Sequence, residues 1–203
     1  MTQVKICGLK YRADVDVAVA NGADMIGFVF ARSKRQVTAD QAHMLAKNLP
    51  STVKKVGVFV NESPSEINRI AATVPLDIVQ CHGQETPEEV AKINYPTIKA
   101  FQVKDGKISG NIEAYPNSLL LLDAPASEYD GGSGETFDWE SLNDTILPQE
   151  KIIIAGGLNA ENVQAAIVKF HPFAVDISSG VETNGTKDPE KIITFIQKAK
   201  ESK

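Results

Sequence analysis

The sequence predicts a (β/α)8 barrel built as one domain over residues 1–203, and three observations carry the prediction. Eight short β-branched runs alternate with longer segments of helical spacing. The runs are mostly continuous and apolar rather than alternating, as suits parallel strands buried on both faces. The first run is followed by "CGLKYR", where a dinucleotide-binding open sheet would carry GxGxxG. A chain of 203 residues matches such a barrel at its smallest practical size.

In chain order the strand candidates are 3–7, 25–30, 54–60, 76–80, 97–103, 118–123, 151–155 and 173–178. Helix candidates lie near 11–21, 38–48, 63–73, 86–94, 138–146, 159–169 and 188–200. Several open on good N-terminal signals: Thr38, Ser63 before Pro64, Thr86 before Pro87, Asn159, and Asp188 before Pro189. The stretch 104–117, with "GKISGNIEAY", permits only a short or irregular helix. No linker rich in Pro, Gly or Ser divides the chain.

Composition narrows the function classes. A net charge of -5 lacks the basic excess of a nucleic-acid-binding surface. No apolar stretch reaches the roughly 18 residues of a membrane span. Met1 leads straight into a strand pattern without a secretory signal, so a reduced, cytoplasmic protein with Cys7 and Cys81 free is expected. His43, His82 and His171 are scattered and no CxxC pair occurs, so no metal site is expected.

In such a barrel the working residues sit at the C-terminal strand ends and in the loops beyond. That rule gathers Cys7, Arg35, Asn61, His82, Asp123, Gly156, Gly157, Asp176, Ser179 and Gly180 at one rim. The loops after strands 7 and 8 read "AGGLNAENV" and "DISSGVE". Barrels often bind phosphate there, and glycine lets backbone N–H groups approach an anion. Gly156, Gly157, Ser179 and Gly180 are therefore the phosphate candidates. A third glycine-rich loop, "EYDGGSGETFDW" at 128–139, is long for a βα connection and reads as a lid. Phe137 and Trp139 would dock it on apolar cover.

Eight stretches in order complete the pattern: "KICGL", "GFVF" with "SKRQVT", "GVFVN", "VQCHG", "LLDA", "GGSGETFDW", "AGGLNAENV", and "VDISSGVE" with "NGTKDPEK". Together they resemble the phosphoribosylanthranilate isomerase family of tryptophan biosynthesis over nearly the whole chain. Two departures are visible. Cys81 stands where the family usually has leucine, and Lys34 where it usually has proline. The first position should tolerate a small soft residue; the second bears on the stiffness of the loop, not on Arg35.

The resemblance implies an Amadori rearrangement. N-(5′-phosphoribosyl)anthranilate, an aminoaldose, becomes 1-(2-carboxyphenylamino)-1-deoxyribulose 5-phosphate. One general acid opens the furanose ring, one general base removes the C2′ proton, and no cofactor takes part. Cys7 is then the base, working as a thiolate, and Asp123 the acid, kept protonated by an apolar setting. Arg35 pairs with the anthranilate carboxylate through its fork of N–H donors. His82 and Asp176 orient the ribose hydroxyls or the ring. Lys5 is taken to turn away from Cys7 along the strand, and Cys81 to be structural. The partner is this small phosphosugar-anthranilate, and the assembly a monomer or homodimer.

Two rivals share the fold. The related histidine-pathway aminoaldose isomerase resembles a two-carboxylate system with aspartate in place of Cys7. A catalytically silent phosphate-binding barrel would have lost the acid or the base, and both are present here.

Overall fold

A parallel strand buried on both faces turns alternate side chains to opposite layers. In a closed barrel one set fills the lumen and the other meets the helices. The computed structural model of the protein describes residues 1–104, 107–123 and 148–201. Its strands are β1 (Gln3–Cys7), β2 (Met25–Val29), β3 (Lys54–Phe59), β4 (Ile78–Cys81), β5 (Thr97–Lys104), β6 (Leu119–Asp123), β7 (Ile152–Ala155) and β8 (Ala174–Ile177). Each pairs in parallel with the next, and β8 pairs with β1 to close the ring. All eight fall where the apolar runs place them.

The lumen is filled by Met25, Val56, Ile98, Ala100, Leu121, Ile153, Ala155 and Ala174. The alternate residues, among them Val4, Ile6, Ile26, Phe28, Val79 and Val175, join the outer core with Val15, Ile67 and Phe195. Those last three ride on α1 (Arg12–Ala20), α3 (Pro64–Thr73) and, after α2 (Ala39–Ala46), α4 (Pro87–Val90) and α5 (Val163–Phe170), on α6 (Pro189–Glu201). No helix among the described residues is long and apolar enough to cross a membrane.

The predicted caps hold the helix starts. Thr38 and Thr86 each form a capping box, with Gln41 and Glu89. Ser63 accepts from the Glu66 N–H, and Asp188 from those of Glu190 and Lys191. Two helices differ from expectation. α4 is one turn long: beyond Val90 the chain tightens, with the Lys92 N–H on the Glu89 carbonyl and the Ile93 N–H on the Val90 carbonyl. α5 starts at Val163 because Asn159 and Asn162 bond each other in a turn first. Residues 107–114 make a short antiparallel pairing with the end of β5 and a 3-10 turn at Ile112–Ala114. The helix expected at 138–146 and the loop at 128–139 lie outside the described residues.

Leu121 tests the lumen. It is fully buried, so Leu121→Ala should cost about 2–5 kcal/mol in denaturant unfolding. A loss well under about 1 kcal/mol would mean that the lumen is not a packed core.

Candidate active site

The C-terminal mouth of the barrel holds a cleft of about 420 Å³. It is lined by Cys7, Arg35, His82, Asp123, Gly156, Gly157, Asp176, Ser179 and Gly180, so every site candidate but Asn61 borders one space. Asn61 instead ties two loops together. In the left-handed region at φ 53°, it accepts from the Gln84 N–H at 2.6 Å and donates its own N–H to Glu85 at 2.8 Å.

Cys7 ends β1 beside Gly27 of β2, its register partner. A Cβ on Gly27 would come within 2.9 Å of the Cys7 sulfur, so this glycine gives the thiol its room. Lys5 corrects the sequence reading: residues two apart on a strand share a face, and Lys5 lies in the lumen with Cys7. Its ammonium donates to both carboxylate oxygens of Asp176, its register partner on β8, at 2.9 and 3.0 Å. Burial pushes the Cys7 thiol up; Lys5 draws it down, Asp176 pushes it up, Lys187 draws it down, and it stands above its usual range. Cys81 faces the outer core, and burial pushes its thiol up to about 12. Both cysteines are free.

Across the cleft, Gln80 Nε2 donates to His82 Nδ1 at 2.9 Å. That fixes the tautomer, and His82 Nε2 donates to Asp123 Oδ2 at 3.1 Å. Asp123 is one-third exposed, at 33% of its side chain. A closed apolar setting was expected there; instead the carboxylate sits at the rim, held by an imidazole. Sequence reading also missed Gln80, which is buried and lines the cleft. A glutamine two residues before the histidine, on the same strand face, was the available signal.

The two glycine loops meet. Gly156 and Gly157 follow each other at φ 75° and 65°, a pair of left-handed residues that suits glycine. Asn162 Nδ2 donates to the Gly157 carbonyl at 2.9 Å. Gly180 is small for another reason: a Cβ there would collide with the Leu158 carbonyl oxygen.

Arg35 is clamped by a residue the sequence reading did not single out. Its Nε and Nη2 donate to the two oxygens of Glu182, at 2.5 and 2.8 Å. Lys187 Nζ reaches the same carboxylate at 3.0 Å and the Ser178 carbonyl at 2.7 Å. Against the cost of burial, the bonds from Arg35 and Lys187 bring the Glu182 carboxyl down to about 2. A second buried pair was missed beside His82. Lys99 Nζ donates to Glu85 Oε2 at 2.8 Å and to the Gly83 carbonyl at 2.6 Å.

A closed barrel whose mouth brings a thiol, a carboxyl and paired glycine turns around one cleft defines a (β/α)8 enzyme equipped for proton transfer. More narrowly, the chain belongs to the N-(5′-phosphoribosyl)anthranilate (PRA) isomerase family, whose model matches residues 4–198. The N-(5′-phosphoribosyl)anthranilate isomerase of Listeria monocytogenes is 64% identical over 197 residues, 97% of this chain and 98% of that one. That of Streptococcus mutans is 51% identical over 200 residues, 98% of this chain and all of that one. Among solved structures, the Thermotoga maritima phosphoribosyl anthranilate isomerase superposes with a TM-score of 0.84 at 42% identity, over 98% and 99% of the two chains. Another phosphoribosyl anthranilate isomerase, in complex with reduced 1-(o-carboxyphenylamino)-1-deoxyribulose 5-phosphate, gives 0.81 at 39% identity over the same shares.

The Glu182 clamp has a pH signature. A carboxyl lowered on folding stabilises the fold above its unfolded pKa, near 4.5, and that stability is lost as pH falls toward about 2. Glu182→Gln should flatten the acid limb of the stability curve between those values and cost up to about 3 kcal/mol at neutral pH. Parallel acid limbs in parent and variant would show that the clamp adds nothing.

Proposed function

We propose that the chain catalyses the Amadori rearrangement of N-(5′-phosphoribosyl)anthranilate in tryptophan biosynthesis, as one barrel domain over residues 1–203. The observation that carries this is the cleft itself, which puts Cys7, Asp123, Arg35 and both glycine loops around one space in a chain of this family.

The substrate has two anionic ends with the reacting ribose between them. The phosphate is bound at Gly156, Gly157, Ser179 and Gly180, through backbone N–H groups that need no net positive charge. The anthranilate carboxylate pairs with Arg35. The clamp to Glu182 takes Nε and Nη2, so the contact falls to Nη1 rather than to the Nε–Nη2 fork. His82 and Asp176 orient the ribose from the cleft wall.

Asp123 gives a proton to the furanose ring oxygen, the C1′–O bond breaks, and a Schiff base forms. Asp123 must be protonated for this step. Cys7, as thiolate, then takes the C2′ proton. The electrons of the C–H bond move into C1′–C2′ and those of the imine onto nitrogen, giving an enolamine that tautomerises to the ketone. These steps ask for no metal or redox group. The burial that raises the thiol sets the pH dependence: kcat/KM should climb with pH across the neutral range. One barrel supplies every residue named, so the chain acts as a monomer or homodimer.

Substrate turnover, read from anthranilate fluorescence, tests the assignment. Cys7→Ala should fold and lose about 10²–10⁴ in kcat, and Asp123→Asn should do likewise. KM should change little in either, because the phosphate and carboxylate contacts remain. Cys81→Ala should stay near the parent rate. A silent Cys81→Ala beside an active Cys7→Ala would place the base elsewhere.

A further inference from the structure

The lumen beneath the cleft is apolar on most sides, yet β1 and β8 place an ion pair in it. Lys5 is fully buried and Asp176 is 7% exposed. A buried pair is weak support for stability, since apolar side chains of similar volume often serve as well or better. Met25 on β2 and Leu121 on β6 show what such positions otherwise hold. The location of the charge is informative: Cys7 stands two residues beyond Lys5 on the same strand face. Among the described residues, the charged groups that face the thiol are Lys5 on its own strand, Asp176 on β8 and Lys187 after β8. Its register partner on β2 is Gly27, which brings no charge. Arg35 borders the cleft with its guanidinium bonded to Glu182, which Lys187 also neutralises.

Of the two cations, Lys187 is already shared by Glu182 and the Ser178 carbonyl. Lys5 is bonded to Asp176 by two donors and has a third to offer. Burial alone would strip an ammonium of its proton; Asp176 and the thiol outweigh that and keep Lys5 charged.

We propose that Lys5 is a positioning residue for the proton transfer: held as a cation by Asp176, it stabilises the Cys7 thiolate at the end of β1. This rests on the reading of Cys7 as the base and deepens it. The thiol loses its proton to water, Lys5 keeps all of its own, and the thiolate later takes the C2′ proton. Asp176 thereby acts on the reaction through Lys5 as well as from the cleft wall.

The test reads the thiol directly. In a Cys81→Ala background, the pH dependence of iodoacetamide alkylation of the intact protein reports the Cys7 midpoint. Lys5→Met, and the double variant Lys5→Met/Asp176→Asn that leaves no unpaired charge, should both move that midpoint upward. Alkylation at neutral pH should slow at least about tenfold. The acid limb of kcat/KM should move with it, which loss of a purely structural residue would not produce. A parallel measurement needs no change at Lys5: its side-chain nitrogen resonance should titrate with Cys7 in the parent and lose that step in Cys7→Ala. An unmoved midpoint in a folded variant, or a Lys5 resonance blind to Cys7, overturns the proposal. Turnover by Cys7→Ala at the parent rate would instead sink the base assignment and leave a shifted midpoint standing.

Discussion

Closure of the sheet governs everything else in this protein. Once β8 pairs with β1 and β4 with β5, the side chains of eight strands divide into those in the lumen and those against the helices. The C-terminal strand ends must then converge on one mouth. Cys7, Asp123 and Asp176 come from three strands far apart in sequence and border one cleft because the ring allows them nowhere else. The same closure buries Lys5 and Cys7 away from bulk solvent, and charges interact more strongly there than at the surface.

Around that mouth the chain repeats one device: a buried acid and a buried base lock a loop in place. Glu182 and Lys187 hold Arg35 and the turn after β8. Glu85 and Lys99 hold the His82–Gly83 turn after β4 and tether the Asn61 turn after β3. Lys5 and Asp176 join the first strand to the last below the thiol. Each pair takes donors and acceptors that would otherwise be stranded in the interior and spends them on geometry. A cleft with prepaid geometry needs little rearrangement to place a proton donor and acceptor on opposite sides of one ring.

The strands were legible because burial on both faces leaves a mostly apolar run, and the caps because Thr38, Ser63 and Thr86 act on residues three positions away. The rim residues followed from strand ends once the barrel was inferred. What escaped was pairing across the ring: Glu182 lies 147 residues from Arg35 and Asp176 lies 171 from Lys5. No local spacing reports a partner at that distance. Lys5 is a different miss, since period-two alternation already put it on the face of Cys7. A lysine in a closed lumen contradicts the usual exposure of that side chain, and the ion pair with Asp176 is what makes it tolerable. The glycines sit in their loops for different reasons: Gly157 answers to its φ, Gly180 to the carbonyl of Leu158.

The central claim is spatial: one ligand spans the cleft, with its reacting carbon between Cys7 and Asp123. The most direct test is a crystal structure of this chain with reduced 1-(o-carboxyphenylamino)-1-deoxyribulose 5-phosphate. The account predicts the phosphate on the backbone of Gly156–Gly157 and Ser179–Gly180, the carboxylate on Arg35, and C2′ beside the Cys7 sulfur with Asp123 across the ribose. A phosphate seated away from both glycine loops, or a C2′ atom beyond the reach of Cys7, would contradict it.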